Sequence, residues 1–468
     1  MKNKKSIWNK ISCVVLTVVT IFTANPMPTQ AEIYWPQAPQ VTSPDAIVIE
    51  VNSGAVLYEK NCDTVRYPAS ITKVLTTLLA LENCALDEVV TFSADAVFKN
   101  EGDTSHIARD LDEQMTMEEC LYGVMLESAN ECAYAVAEHV GAKLGGDYRT
   151  FIDLMNQRAK ELGCTNTHFN NANGLPDTEH WTSARDMALI SAEAYRNETF
   201  RIITGTKAYQ IPPTNKHVDI TYLNNHHQML HYYKTSKYLY EYCTGGKTGY
   251  TQAAGSTLVT FAEKDGMALV CVVMNTTGQD QYLDTTALFE YCFQNFKSYN
   301  IAEHKEYITA HEKSKGVMNN QSSYVTLDES ATVVLPVSAS FSDAQFSITE
   351  QENKGDIVAT LSYMYADRMV GSVEIVPAQV HLIESYFDKQ VAVEEEPTQN
   401  VVKVKPAFLI AICIAFAVLI FLLCSVKRLY DNYYMIRHDF EVKRERRNRF
   451  RPVEKRRRRR KKGDSMFR

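Results

Sequence analysis

The stretch PAFLIAICIAFAVLIFLLCSV (406–426) carries no charge over 21 residues. As a helix rising about 1.5 Å per residue it measures about 31 Å, the thickness of a hydrocarbon core, so one transmembrane helix is predicted here. Lys427 and Arg428 follow at once, and the tail contains KRRRRRKK (455–462). Residues 427–468 hold 18 Lys and Arg against 6 Asp and Glu, a net charge of +12. Positive flanks stay in the cytoplasm, which puts this basic cytoplasmic tail inside and residues 32–405 outside. A basic run also fits nucleic acid, but beside a membrane helix it reads as a contact for anionic lipid headgroups.

The other end agrees. Lys2, Lys4, Lys5 and Lys10 precede a short apolar core, ISCVVLTVVTIFTA (11–24), and Thr29-Gln30-Ala31 offers a small-residue cleavage site. Residues 1–31 therefore read as a signal peptide, the apolar run being too short to span. Cys13 lies inside that run, which argues against a lipid-modified cysteine at the cut. The whole chain carries −7; with +12 in the tail and +4 in residues 1–31, the segment between them carries −23. A surface that acidic excludes nucleic acid as a partner. Eight cysteines lie outside the targeting and spanning segments, without CxxC spacing, so disulfides and buried thiols both stay open.

Between the ends, AIVIEVNSGAVLYEKN (46–61) reads as two strands turning at Asn52-Ser53-Gly54. Helical periodicity follows over 70–83, 93–98, 116–142, 147–163 and 183–196, with 128–144 apolar on most faces, as in a buried central helix. Strand character returns at Lys207. Residues 255–276 form a hairpin turning at Lys264-Asp265-Gly266, and a closing helix covers 284–298. Strands, a helical block, strands and a last helix predict an α/β (α+β) domain over 35–300, an antiparallel sheet packed with a helical block. Residues 301–390 alternate in short runs and read as a small all-β C-terminal domain. A polar linker (391–405) spans roughly 50 Å when extended.

The chemistry gathers in three places. In PASITKVLTTLLA (68–80), Pro68 suits a helix start, so Ser70 falls in the first turn and Lys73 returns to the same face. The helix N-terminus and burial both disfavour a charged Lys73, and a neutral amine would take the Ser70 proton. By itself S-x-x-K is close to noise, and two further parts are needed. Ser128-Ala129-Asn130 supplies a hydroxyl and an amide side by side, though it also reads as a helix cap. Lys247-Thr248-Gly249 opens a strand where a lysine and a hydroxyl can hold a carboxylate. The N–H of Tyr250 would complete an oxyanion hole with that of Ser70. His226, His227 and His231 lack a completing carboxylate or cysteine, so no metal is expected, and no cofactor either.

Taken with PASITKVLT, MLESANECAYAVAEHVG, MNQRAKELGCTNTHFNNANGLPD, HWTSARDMALI and GGKTGYTQAAG, the triple set S-x-x-K, S-x-N, K-T-G resembles the low-molecular-mass penicillin-binding proteins, the serine-type D-alanyl-D-alanine carboxypeptidases. The resemblance covers residues 42–298. It implies the serine β-lactamase/transpeptidase-like fold, with Ser70 as acylated nucleophile and Lys73 as general base. Ser128 and Asn130 would relay protons and position substrate, and Lys247 and Thr248 would bind its terminal carboxylate. The implied substrate is a peptidoglycan stem peptide ending in D-Ala-D-Ala, with β-lactams as covalent inhibitors. Alternatives on the same site are a β-lactamase, an endopeptidase or transpeptidase, and a non-enzymatic sensor. Two departures stand out: Glu131 where the family has aspartate, and Asp112 where glycine is common, which predicts an altered loop at 110–114.

Overall fold

A computed structural model describes residues 34–99, 104–304, 325–327, 331–350 and 359–377. These fall within residues 1–381, one of two units of the chain; the other, 382–468, lies outside the described residues. The expected signal peptide (1–31), linker (391–405), membrane helix (406–426) and tail (427–468) all lie outside them too. Among the described residues no helix is long and apolar enough to cross a membrane.

The chain opens with β1 (Asp45–Glu50) and β2 (Val56–Lys60), then a 3₁₀ turn at Ala69–Thr72 running into α1 (Lys73–Asn83). The short strands β3 (Val89–Thr91) and β4 (Gln114–Thr116) pair across α2 (Ala94–Phe98). Helices α3 (Met117–Leu126), α4 (Asn130–Lys143), α5 (Tyr148–Glu161), α6 (Ala184–Arg196) and α7 (Glu198–Gly205) follow. Next come β5 (Ala208–Ile211), β6 (Thr221–Asn224), β7 (Cys243–Thr251), β8 (Gly255–Lys264), β9 (Met267–Thr276) and α8 (Asp280–Asn295).

Strands from both ends of this region meet in one antiparallel sheet, ordered β2-β1-β9-β8-β7. Its period of two divides the core. Ile47, Ile49, Val270, Val272, Val259 and Phe261 face the helical block, with Leu75, Leu121, Val136 and Ile190 among their neighbours. Ala46, Val48, Leu269, Cys271, Val273 and Leu258 face the other way, onto Leu288, Phe289 and Cys292 of α8. A sheet buried on both faces needs strands apolar at nearly every position, which is why MALVCVVM lacks alternation. The result is a mixed architecture of helices on an antiparallel sheet.

Helix ends follow the capping chemistry. Thr116 Oγ1 accepts from Glu119 N at 3.2 Å while Glu119 accepts from Thr116 N at 2.8 Å, and Asp147, Ser183 and Asn197 cap α5, α6 and α7. The helical run expected over 116–142 is two helices, broken where Ser128 adopts φ +62°. Both are buried along most of their length, so periodicity alone does not expose the break. The closing helix covers 280–295 rather than 284–298. From Phe296 the chain leaves as β10 (Phe296–Asn300), because it pairs with a distant strand that local periodicity cannot show.

That partner is β12 (Thr332–Pro336); β11 (Val325–Leu327), β13 (Gln345–Glu350), β14 (Ala359–Tyr365) and β15 (Arg368–Pro377) make a sheet ordered β11-β15-β14-β13. Strand β12 serves two cores: Val334 joins the cluster under α8, and Val333 and Leu335 join Phe341, Leu361 and Tyr363. Thr332 Oγ1 also reaches the buried Glu50 at 3.4 Å. The eight cysteines among the described residues are free thiols.

Candidate active site

The turn before α1 is shaped by contacts on both sides. Pro68 caps it with φ −75°, and Ala69 takes φ +52°, a strained value for a residue with a side chain. Thr257 Oγ1 donates to Pro68 O at 2.8 Å, and the absence of a side chain at Gly174 makes room for Ala69 O, which a Cβ there would meet at 1.9 Å. Ser70 thus sits in a 3₁₀ turn just ahead of α1, not in the first α-helical turn as expected, and α1 starts at Lys73. Three residues apart in this tighter turn, the two side chains still meet: Lys73 Nζ lies 3.1 Å from Ser70 Oγ.

Lys73 is fully buried. Its Nζ donates to Asn130 Oδ1 at 2.7 Å and to the carbonyl of Asn173 at 2.6 Å. Burial pushes its pKa well below the usual lysine value, and Lys247 pushes it further in the same direction; Glu131 and Cys132 act weakly against them. A neutral amine has two N–H groups and one lone pair. Asn130 and Asn173 present atoms that only accept, so they take both N–H groups and the lone pair faces Ser70 Oγ.

Between α3 and α4, Ser128 is held in its left-handed conformation by Ala129 N donating to Gly123 O at 3.0 Å. The buried Ser128 Oγ has no hydrogen-bond partner among the described residues. Such a hydroxyl is costly unless something else completes it. Asn130 N donates to Ser105 O at 2.9 Å and Glu131 Oε1 accepts from Ile107 N at 2.6 Å, so the start of α4 also fastens the 105–109 loop. Burial raises the Glu131 carboxyl above its ordinary pKa. At the other departure, Asp112 keeps the left-handed φ of +60° that suits a glycine.

Strand β7 is an edge strand of the sheet and lies against the Ser70 turn. A Cβ on Gly249 would stand 2.9 Å from Ser70 N and 2.4 Å from Thr257 Oγ1, so only glycine permits this approach. Lys247, on the same face, is 2% exposed, and its Nζ donates to Thr248 O at 2.9 Å. Burial lowers its pKa to about 7, against the pull of Glu127. That carboxylate accepts from Asn224 N at 2.7 Å and lies 2.7 Å from His226 Nε2. Thr248 is half-buried and Tyr250 is 70% exposed; neither side chain makes a hydrogen bond among the described residues.

Ser70 Oγ, Asn130 Oδ1 and the Asn173 carbonyl therefore converge on Lys73 Nζ, Gly249 abuts the Ser70 backbone, and Ser128 Oγ is unpartnered among the described residues in the α3–α4 turn. Sequence reasoning missed three supports. Asn173 acts through its backbone oxygen, which no side-chain pattern announces, although it lies in the NNANGLPD run that shares the family resemblance. His180 is buried: Nδ1 accepts from Asn170 N at 3.0 Å and Asn171 N at 3.3 Å, which leaves Nε2–H to donate to Thr72 Oγ1 at 2.9 Å. His227 Nε2 lies 3.0 Å from Thr260 Oγ1 and fills the space a Cβ on Gly246 would take. Of the three histidines weighed for metal, this one is a packing residue under β7.

Comparison with known proteins follows the same boundaries. Residues 33–278 match the family model described as D-alanyl-D-alanine carboxypeptidase. The chain is 31% identical over 277 residues to the D-alanyl-D-alanine carboxypeptidase DacF of Bacillus subtilis, covering 58% of this chain and 67% of that one. To DacA of Haemophilus influenzae, also a D-alanyl-D-alanine carboxypeptidase, it is 27% identical over 350 residues, covering 72% and 84%. The crystal structure of the Streptomyces K15 DD-transpeptidase aligns at 29% identity with a TM-score of 0.49, covering 55% of this chain and all of that one.

Proposed function

The chain belongs to the D-alanyl-D-alanine carboxypeptidase family, and from that membership we propose how its residues carry out the reaction. It is a serine-type hydrolase acting on peptidoglycan stem peptides that end in D-Ala-D-Ala, and it binds β-lactams. The serine β-lactamase/transpeptidase-like arrangement of helices and sheet belongs to the same reading.

Neutral Lys73 takes the proton of Ser70 as Oγ attacks the carbonyl of the penultimate D-alanine. The oxyanion is met by the N–H groups of Ser70 and Tyr250. Lys73 returns the proton through the Ser128 hydroxyl to the leaving amine, and D-alanine departs. Asn130 holds Lys73 by its oxygen, and Lys247 with Thr248 holds the terminal carboxylate. Water then attacks the acyl-enzyme and gives a proton to Lys73, which passes it to Ser70 Oγ as the ester bond breaks, so that Ser70, neutral Lys73 and a shortened peptide result. The observation that carries this reading is the 3.1 Å approach of Ser70 Oγ to an amine whose other two contacts are acceptors only.

A β-lactamase needs a base for fast deacylation. Among the described residues no carboxylate bonds Lys73, and Glu179 is exposed, which favours a long-lived β-lactam adduct. Mass spectrometry of the segment 32–405 decides: a D-Ala-D-Ala peptide loses one alanine, and penicillin leaves a stable adduct on the Ser70 peptide. An intact peptide, an adduct elsewhere, or rapid penicillin turnover contradicts the reading.

The same proposal places the enzyme outside the cytoplasm, exported by residues 1–31. Residues 406–426 hold it as a single-pass protein, and its tail lies on anionic lipid. The uncharged 21-residue run and the +12 tail support it. Full-length chain that washes off membranes at alkaline pH would refute it.

A further inference from the structure

Beside the nucleophile turn lies a cavity of about 360 Å³, within the range of small-ligand sites. Its wall includes Arg66 and Tyr67, just before Pro68, with Thr178 and Trp181 from the loop that pairs with Arg66, and Ala253 and Ala254 from the turn after β7. We propose that this cavity receives the side chain of the stem residue preceding the D-Ala-D-Ala pair, and that it selects an aliphatic chain ending in a carboxylate.

The inference rests on the peptidase reading above, and the direction of β7 carries it. As an edge strand, β7 offers unpaired backbone groups to an added antiparallel strand. A peptide whose terminal carboxylate lies at Lys247 and Thr248, and whose scissile carbonyl lies at Ser70 beside Gly249, runs back past Tyr250 and Thr251. At about 3.3 Å per residue the residue before the D-alanine pair reaches the end of the strand, where Ala253 and Ala254 open onto the cavity. Small residues at those two positions leave its mouth clear.

The lining sets the chemistry. Tyr67 and Trp181 provide apolar surface for methylenes. Arg66 is the single charged side chain among the described lining residues. Its Nε and Nη2 reach the buried Asp45 at 2.7 and 3.3 Å, and its Nη1 has no partner among the described residues. That N–H is suited to a carboxylate, which accepts, and offers nothing to an ammonium, which only donates.

The test compares kcat/KM for three peptides, Nα-acetyl-X-D-Ala-D-Ala, with X alanine, lysine or 2-aminopimelate. The last two differ only in the charge that ends a four-methylene chain. The aminopimelyl peptide is expected to exceed both others about tenfold, the scale of one charge-assisted hydrogen bond. Ala253→Trp, at an exposed position, should bring it down to the level of the alanyl peptide and leave that peptide unchanged. A lysyl peptide cleaved as well as the aminopimelyl one overturns the proposal. So does a preference that survives Ala253→Trp, or an equal loss on all three peptides. If the alanyl peptide is cleaved without any preference, only this inference falls; if none is cleaved and penicillin leaves no adduct, the peptidase reading falls with it.

Discussion

Lys73 Nζ stands 3.1 Å from Ser70 Oγ inside a buried shell that disfavours its charged form. Burial is the largest cause, and a second buried lysine on β7 adds to it. Lys73→Met keeps the apolar stem and removes the proposed base. It is expected to slow acylation by a β-lactam about 10²- to 10⁴-fold, the usual span for a general base. Ser70→Ala should abolish the adduct altogether. Time-resolved mass spectrometry of the Ser70 peptide reads both, and a Lys73→Met protein that acylates at the parental rate would remove Lys73 from the mechanism.

Lys247 has a pKa lowered to about 7, chiefly by burial, with Glu127 opposing. A lowered lysine pKa means the cation is present below that value and lost above it. Binding of an anionic peptide end should therefore weaken as pH rises through about 7, and kcat/KM, which reports the free enzyme, should fall on that limb. Glu127→Gln removes the charge that sustains the cation, so the limb should move to lower pH. A profile that stays put in Glu127→Gln would show that another group sets it.

How far the sequence reaches can be judged from these residues. Ser70, Lys73, Ser128, Asn130 and the Lys247-Thr248-Gly249 run are all legible, because side-chain chemistry at fixed spacing is written locally. The strands and most helices are legible for the same reason: Asn52-Ser53-Gly54 and Lys264-Asp265-Gly266 mark turns, and Ser183 marks a helix start. What was not legible depends on distant partners. Asn173 enters by its carbonyl, His180 by pairing two loops, and Phe296–Asn300 by joining a strand over thirty residues away. The 3₁₀ turn at Ser70 is likewise imposed from outside, by Gly174 and Thr257 packing on Pro68 and Ala69.

Gly249 is where strand β7 and the Ser70 turn touch, and Gly249→Ala tests that contact. A methyl group at 2.4 Å from Thr257 Oγ1 and 2.9 Å from Ser70 N forces β7 and the turn apart. Overpacking of this kind costs about 1–3 kcal/mol. The effect on acylation should be larger than on stability, since a displacement near 1 Å at reacting groups alone costs about 10²-fold. Penicillin acylation rate and thermal midpoint, measured on one preparation, separate the two. Unchanged acylation would mean that β7 does not set the position of Ser70.

His180 makes stability depend on pH. Burial lowers its pKa to about 3 from an ordinary 6.5. The unfolded chain therefore binds this proton more readily than the folded one at every pH between those values. The stabilisation is complete above about 6.5 and is lost as pH falls toward 3, at about 1.4 kcal/mol per unit. At pH 5 the loss from His180 is about 2 kcal/mol, and His227, lowered to about 4 by burial, adds to it. His180→Asn keeps an acceptor for the Asn170 and Asn171 N–H groups but does not titrate. Its thermal midpoint should start lower at pH 7.5 and then decline less steeply than the parent's down to pH 5. Parallel declines would show that the buried imidazole is not what the folded enzyme loses in acid.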